Sequence, residues 1–183
     1  MKLSEINFED EAFKACVLST GEENAEDITE LKCRKQKISC AAGVEHFKNL
    51  KLLDLTLNEL TEIDLSKNTM LEEVYLGNNE LSSIDISGCK QLNYIEVFIN
   101  ELEELDVSNN PLLESICANK NDLEEIDLSK NNQLIDLRLN NNEISEIDIP
   151  ENIKLERLDI EKNPLTDAMK SKLQQLEVAK IAL

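Results

Sequence analysis

Residues 71–87 read LEEVYLGNNELSSIDIS, and residues 134–150 read LIDLRLNNNEISEIDIP. Both are copies of one frame, L-x-x-L-x-L-x-x-N-x-L-x-x-I-D-L-S-x-N. The frame recurs from Leu50 to Leu165, with Asn58, Asn79, Asn100, Asn121, Asn142 and Asn163 standing at equal intervals, one to a unit. So regular a period marks a solenoid, in which each unit forms one coil and buries its apolar face against its neighbours.

When each unit is counted from its first Leu, positions 4 and 6 are apolar and alternate with positions 3, 5 and 7. That alternation predicts a short strand with one buried face. The expected inward pairs are Leu53 and Leu55, Val74 and Leu76, Ile95 and Val97, Ile116 and Ala118, Leu137 and Leu139, and Leu158 and Ile160. Successive strands should stack in parallel about 4.8 Å apart. The Asn at position 9 ends the strand, and its amide offers two donors and an acceptor to turn backbone that the coil buries. The rest of each unit alternates again, as in Leu60, Ile63, Leu65 and Leu123, Ile126, Leu128. It is too short for a helix, so the convex side is expected to consist of extended segments or turns.

On these residues the chain resembles the leucine-rich repeat family, most nearly the bacterial class with nested 21-residue units ending in L-D-L-x-x-N. Departures are Ala118 at a Leu position, Cys89 at the second Asn position and Pro150 in place of Ser. The expected fold is a single α/β domain, a right-handed solenoid with a parallel concave sheet of seven or eight strands and a helical cap at each end. Residues 1–27 form the N-terminal helical cap, 28–49 a degenerate first repeat, 50–165 the regular repeats, and 166–183 a C-terminal helix and closing strand.

In residues 8–18, FEDEAFKACVL, the residues Phe8, Ala12, Phe13, Cys16 and Val17 share one helical face, with acids in the first turn. A cap is needed because an open solenoid end exposes core and a strand edge. Ile28, Leu31, Cys33 and Ile38 fit the strand frame imperfectly, with Gln36 where the Asn belongs. The segment with Gly43, Phe47 and Leu50 resembles the cap-to-repeat junction of internalin-like proteins. In exported relatives of that type, a cap-helix Cys and a first-strand Cys can pair; here these would be Cys16 and Cys33. At the other end Thr166 is a candidate N-cap for a helix over AMKSKLQQL. Leu176, Ala179 and Ile181 fall one repeat length after Leu155, Leu158 and Ile160 and predict a final strand.

With 19 Lys and Arg against 38 Asp and Glu, the net charge is −19. Nucleic acids and anionic membranes attract basic surfaces, so neither is an expected partner. The N-terminus MKLSEINFEDEAF has no apolar signal core, which makes the cytoplasm the default compartment; a chain stripped of its leader would read the same and would be exported. Five cysteines without C-x-x-C spacing indicate neither a zinc site nor a full disulfide framework, and buried free thiols are the simplest reading. No cofactor or metal is expected. The single histidine, His46, stands beside Glu45 with no motif for nucleophilic catalysis around it, so the chain does not read as an enzyme.

The concave face is more informative. Of six aromatic residues, Phe8, Phe13 and Phe47 belong to the cap region, while Tyr94, Tyr75 and Phe98 fall at positions 3, 5 and 7 of adjacent repeats. Leu57 and Ile99 at position 8 extend the apolar area. Interfaces enrich aromatics at their centre, whereas a solvated face has no need of such a cluster. The alternative is that the rings shield backbone or stack as cross-strand neighbours. The expected protein-binding surface comprises Leu52, Tyr75, Tyr94, Glu96 and Phe98, with Arg138 and Arg157 as polar contacts on the C-terminal side. Acidic columns run at positions 10, 13 and 15, for example Asp64, Asp85, Asp106, Asp127 and Asp148. They suit a solvated, monomer-preserving surface, a basic protein partner or weak cation binding, and the Asp of I-D-L-S could instead bond nearby backbone.

Overall fold

The computed structural model describes residues 1–150, 153–176 and 178–183. Among these residues are ten three-residue strands: β1 (Glu30–Lys32), β2 (Leu52–Asp54), β3 (Glu62–Asp64), β4 (Glu73–Tyr75), β5 (Ser83–Asp85), β6 (Tyr94–Glu96), β7 (Ser115–Cys117), β8 (Asp136–Arg138), β9 (Arg157–Asp159) and β10 (Lys180–Ala182). Of these, β2, β4, β6, β7, β8 and β9 keep the 21-residue register. Eight of them form one parallel sheet in the order β1-β2-β4-β6-β7-β8-β9-β10. The opposite side of the coil is mostly turns, with β3 and β5 pairing as a second, two-stranded parallel sheet. All twelve residues expected to face inward are fully buried, in a core running from Leu3 to Leu173.

The Asn column holds the coils together. Asn100 donates from Nδ2 to its own-coil Val97 O at 2.9 Å and to Leu76 O of the preceding coil at 3.0 Å. Its Oδ1 accepts from Leu81 N at 3.0 Å. Asn79, Asn121, Asn142 and Asn163 repeat this three-bond pattern. Asn58 accepts from Gln36 N and Ile38 N, and so ties down the degenerate repeat that has no Asn of its own.

A second column lies at position 19, where Asn68, Asn110 and Asn131 each donate to two carbonyls. Cys89 occupies this column with a thiol directed at the equivalent pair, Leu65 O at 3.3 Å and Asn68 O at 3.6 Å. Burial pushes that thiol up to about 12, so it stays protonated and keeps its proton for donation.

The caps differ from expectation in detail. The N-terminal helix α1 (Glu11–Leu18) starts after Asp10, whose side chain accepts from Phe13 N at 2.8 Å and from Ser39 N at 2.9 Å. Cys16 and Cys33 are joined by a disulfide with Cα atoms 5.9 Å apart, so the free-thiol expectation is corrected for these two. Cys40, Cys89 and Cys117 are free. The C-terminal helix α2 (Asp167–Leu173) is capped by Thr166, which accepts from Met169 N. β10 then pairs Ile181 with Leu158, where the repeat placed Ala179 opposite Leu158 and Ile181 opposite Ile160. The last coil is therefore longer than the regular ones. A helix advances about 1.5 Å per residue against roughly 3.3 Å for extended chain, so a coil that contains one uses more chain for the same path.

Candidate functional site

The strand register lays out the concave face in rows. One row reads Leu52, Glu73, Tyr94, Ser115, Asp136, Arg157; the next reads Asp54, Tyr75, Glu96, Cys117, Arg138, Asp159. All seven residues expected at the binding surface lie on this one face, each half-buried. Tyr75 and Tyr94 meet diagonally across neighbouring strands, with ring centroids 5.0 Å apart and planes tilted by 33°. Tyr75 donates to Glu73 Oε2 at 2.6 Å, and Tyr94 donates to Glu96 Oε2 at 3.3 Å. Phe98 lies close over Gly77: a Cβ there would stand 2.6 Å from the ring, so glycine at that position lets the ring settle onto the adjacent strand.

Burial is the main cause of the shifted acidities here. It pushes both phenols up, reinforced by Glu73 beside Tyr75 and by Cys117 beside Tyr94. It also raises Glu96; the nearby Asp54 charge adds to this, while the Tyr94 hydrogen bond and the more distant Arg34 and Arg138 oppose it. On the C-terminal side Arg138 is held by Asp136 through two bonds, at 3.0 and 2.6 Å, and Arg157 lies 3.7 Å from Asp159. Both arginines are therefore already engaged by a carboxylate of their own strand.

Sequence reasoning missed a backbone feature of this face. Position 8 is left-handed in every regular repeat, at Leu57, Asn78, Ile99, Lys120, Asn141 and Lys162, with φ from 54° to 62°. Asn adopts this conformation readily, but a β-branched residue does so only under strain. Ile99 nevertheless stands there 37% exposed, and Leu57 45% exposed. The available signal was Leu and Ile in a column otherwise filled by Asn and Lys.

The other candidates resolve differently. Asp64, Asp85, Asp106 and Asp127 each accept from the backbone N–H two residues on, at 2.8 to 2.9 Å. Hydrogen bonds from Ser87 and Ser108 hold Asp85 and Asp106 below the usual carboxylate range, as the Ser129 backbone does for Asp127. Pro150 has no N–H to give, and Asp148 takes Lys172 Nζ at 3.1 Å. The regularity of this column thus has a local structural cause. His46 sits 3.4 Å from Glu45 in the cap junction, outside the concave sheet. Among the described residues, no group of three or more His, Cys, Asp or Glu is placed to hold a metal ion, and no helix is long and apolar enough to cross a membrane.

Comparison with known proteins agrees with the fold. A family profile described as Leucine Rich Repeat matches residues 101–119. A comparison with curated proteins found no match. Among solved structures, the functional domain of InlJ from Listeria monocytogenes, which includes a cysteine ladder, is similar at 26% identity and a TM-score of 0.72 over 91% of this chain and 44% of that one. A leucine-rich repeat protein of Leptospira interrogans is similar at 19% identity and 0.64, over 83% of this chain and 47% of its own. YopM from Yersinia enterocolitica is similar at 24% and 0.57, over 66% and 26%. The chain spans less than half the length of each of these proteins. Leucine-rich repeat domains generally serve protein–protein interaction. Its repeat frame, its one-coil-per-unit sheet and these likenesses give the chain the fold of a leucine-rich repeat solenoid, similar to those bacterial ones.

Proposed function

We propose that the chain is a non-catalytic module that binds a protein partner through its concave sheet. Tyr75, Tyr94 and Phe98 form the centre of the surface, with Leu52, Glu96, Arg138 and Arg157 around them. The observation that carries this reading is Ile99, an exposed β-branched side chain kept on left-handed backbone beside Phe98. Strain of this kind costs about 1–3 kcal/mol and persists where surrounding structure or function requires it. Ile99 is only partly packed in the free chain, with 37% of its surface open, and a partner covering Ile99, Phe98 and Leu57 would bury the rest. The acidic surface favours a basic partner and a monomeric chain. The Cys16–Cys33 bridge suits an oxidising compartment, which favours export over the cytoplasmic default.

The test is Ile99→Asn. Asn relieves the strain, and the variant is expected to gain about 1 kcal/mol, or about 2–4 °C in melting temperature for a chain of this size. Partner affinity, measured with the purified partner, should fall at the same time. A variant that melts no higher, or that binds as tightly as wild type, would contradict the proposal.

A further inference from the structure

We propose that the aromatic patch seats a lysine or arginine side chain of the protein partner, held over Tyr75 and Tyr94 between Glu73 and Glu96, with a neighbouring apolar side chain of the same segment resting on Leu57, Phe98 and Ile99. This deepens the preceding reading and rests on it.

The strands of the eight-stranded sheet carry six acids: Glu30, Asp54, Glu73, Glu96, Asp136 and Asp159. Four have a basic partner on the same face: Glu30 has Lys32 at 2.7 Å, Asp54 has Arg34 at 3.5 Å, Asp136 has Arg138 at 2.6 Å and Asp159 has Arg157 at 3.7 Å. The remaining two, Glu73 and Glu96, stand on adjacent strands in the middle of the patch. Among the described residues, neither has a Lys or Arg within ion-pair distance, and each accepts from a tyrosine hydroxyl instead. The paired acids therefore flank a central stretch of sheet whose two carboxylates form no ion pair among the described residues, with Arg34 and Arg138 acting on Glu96, and Lys32 on Glu73, only from beyond ion-pair distance.

That stretch is also where the aromatic rings lie. A cation over a tyrosine face is attracted by the ring's electron density, and more strongly where water is excluded. Two rings 5.0 Å apart, each with its hydroxyl donating to a carboxylate, make an electron-rich seat lined by two acids. Glu96 is half-buried, and burial disfavours its charged form. An incoming ammonium or guanidinium group would offset that cost, as the chain's own cations do for the flanking acids. The apolar stretch of Leu57, Phe98 and Ile99 at the strand ends accounts for the second half of the occupant: an apolar residue next to the base. The repeat geometry sets the scale, because the seat spans β4 and β6, two neighbouring strands, which a single side chain covers.

The chain provides its own probe. It has two tyrosines and no tryptophan, and both tyrosines lie in the seat, so tyrosine emission reports on this patch alone. The experiment titrates the full chain at low ionic strength with capped leucyl-arginine and leucyl-lysine dipeptide amides. The control is the capped leucyl-citrulline dipeptide, a neutral isostere of the arginine peptide. The expected result is a saturable change in emission with both cationic peptides and at least tenfold weaker binding of the citrulline peptide. In the Glu73→Gln/Glu96→Gln variant the cationic peptides should bind at least tenfold more weakly, with the melting temperature close to that of wild type. Sodium chloride should weaken the interaction, because an exposed charge pair is screened. Equal binding of arginine and citrulline peptides overturns the cation seat, and so does undiminished binding to the double glutamine variant. An emission signal that no peptide moves overturns it as well. None of these three results touches the broader reading, which fails separately if Ile99→Asn leaves partner affinity unchanged.

Discussion

Replacing Asn100 with alanine is expected to destabilise the solenoid by about 3 kcal/mol. The size follows from which groups lose a partner. Leu81 N–H bonds to Asn100 Oδ1, and without it a buried donor is orphaned between two coils. Leu76 O and Val97 O each lose one of two amide donors, because Asn79 also reaches Leu76 O and Asn121 also reaches Val97 O. An orphaned buried donor costs about 1–3 kcal/mol, and each of the two lost bonds costs about 0.5–1.5 kcal/mol. Asn163→Ala is the internal control. Asn163 makes the same three bonds but is only half-buried, and water can replace part of what it supplies, so its loss should be clearly smaller. The check is chemical denaturation of both variants. Equal losses at the two positions would mean that the column works through something other than buried backbone.

Loss of the Cys16–Cys33 bridge is expected to cost a similar amount, about 3 kcal/mol, because the bond closes a loop of 17 residues in the unfolded chain. The consequence should be local. Helix α1 has eight residues, too few to persist alone, and its buried Phe13 and Val17 cover the first coil. The Cys16→Ala/Cys33→Ala variant should therefore melt several degrees lower. Hydrogen exchange should rise first in residues 8–18 and around β1, ahead of the central strands. A uniform loss of protection along the solenoid would show that the cap is not a separate unit.

Much of this was legible in the sequence because one constraint repeats. Each unit must place two apolar residues inward and one Asn at the strand end, so every copy reports the same geometry, and Leu53 through Ile160 landed inside as the alternation required. The concave aromatics were legible for the same reason: once the period is known, positions 3, 5 and 7 are fixed. Features that depend on distance rather than period were not. Whether Cys16 and Cys33 bond depends on how the helix packs on the first strand. The last coil is longer than the rest because a helix fills it, and the frame alone does not give the offset that sets Ile181 beside Leu158. The column at position 8 hid its left-handed backbone behind Asn and Lys, and only the folded chain shows that Ile99 shares it. The ion pairs that engage the flanking acids and leave Glu73 and Glu96 without one among the described residues depend on side-chain reach, within a strand for Asp136 and Arg138 and between coils for Arg34 and Asp54.

The most direct measurement is capture by the immobilised chain, wild type against Tyr94→Ala/Phe98→Ala, with the melting temperature of both recorded. Both side chains lie half-buried on the concave face, outside the Asn columns and the inward row. The account predicts that the protein retained by wild type is lost from the double variant while the melting temperature stays nearly unchanged. The same protein retained in equal amount by the variant would place the binding surface elsewhere on the molecule and contradict the account.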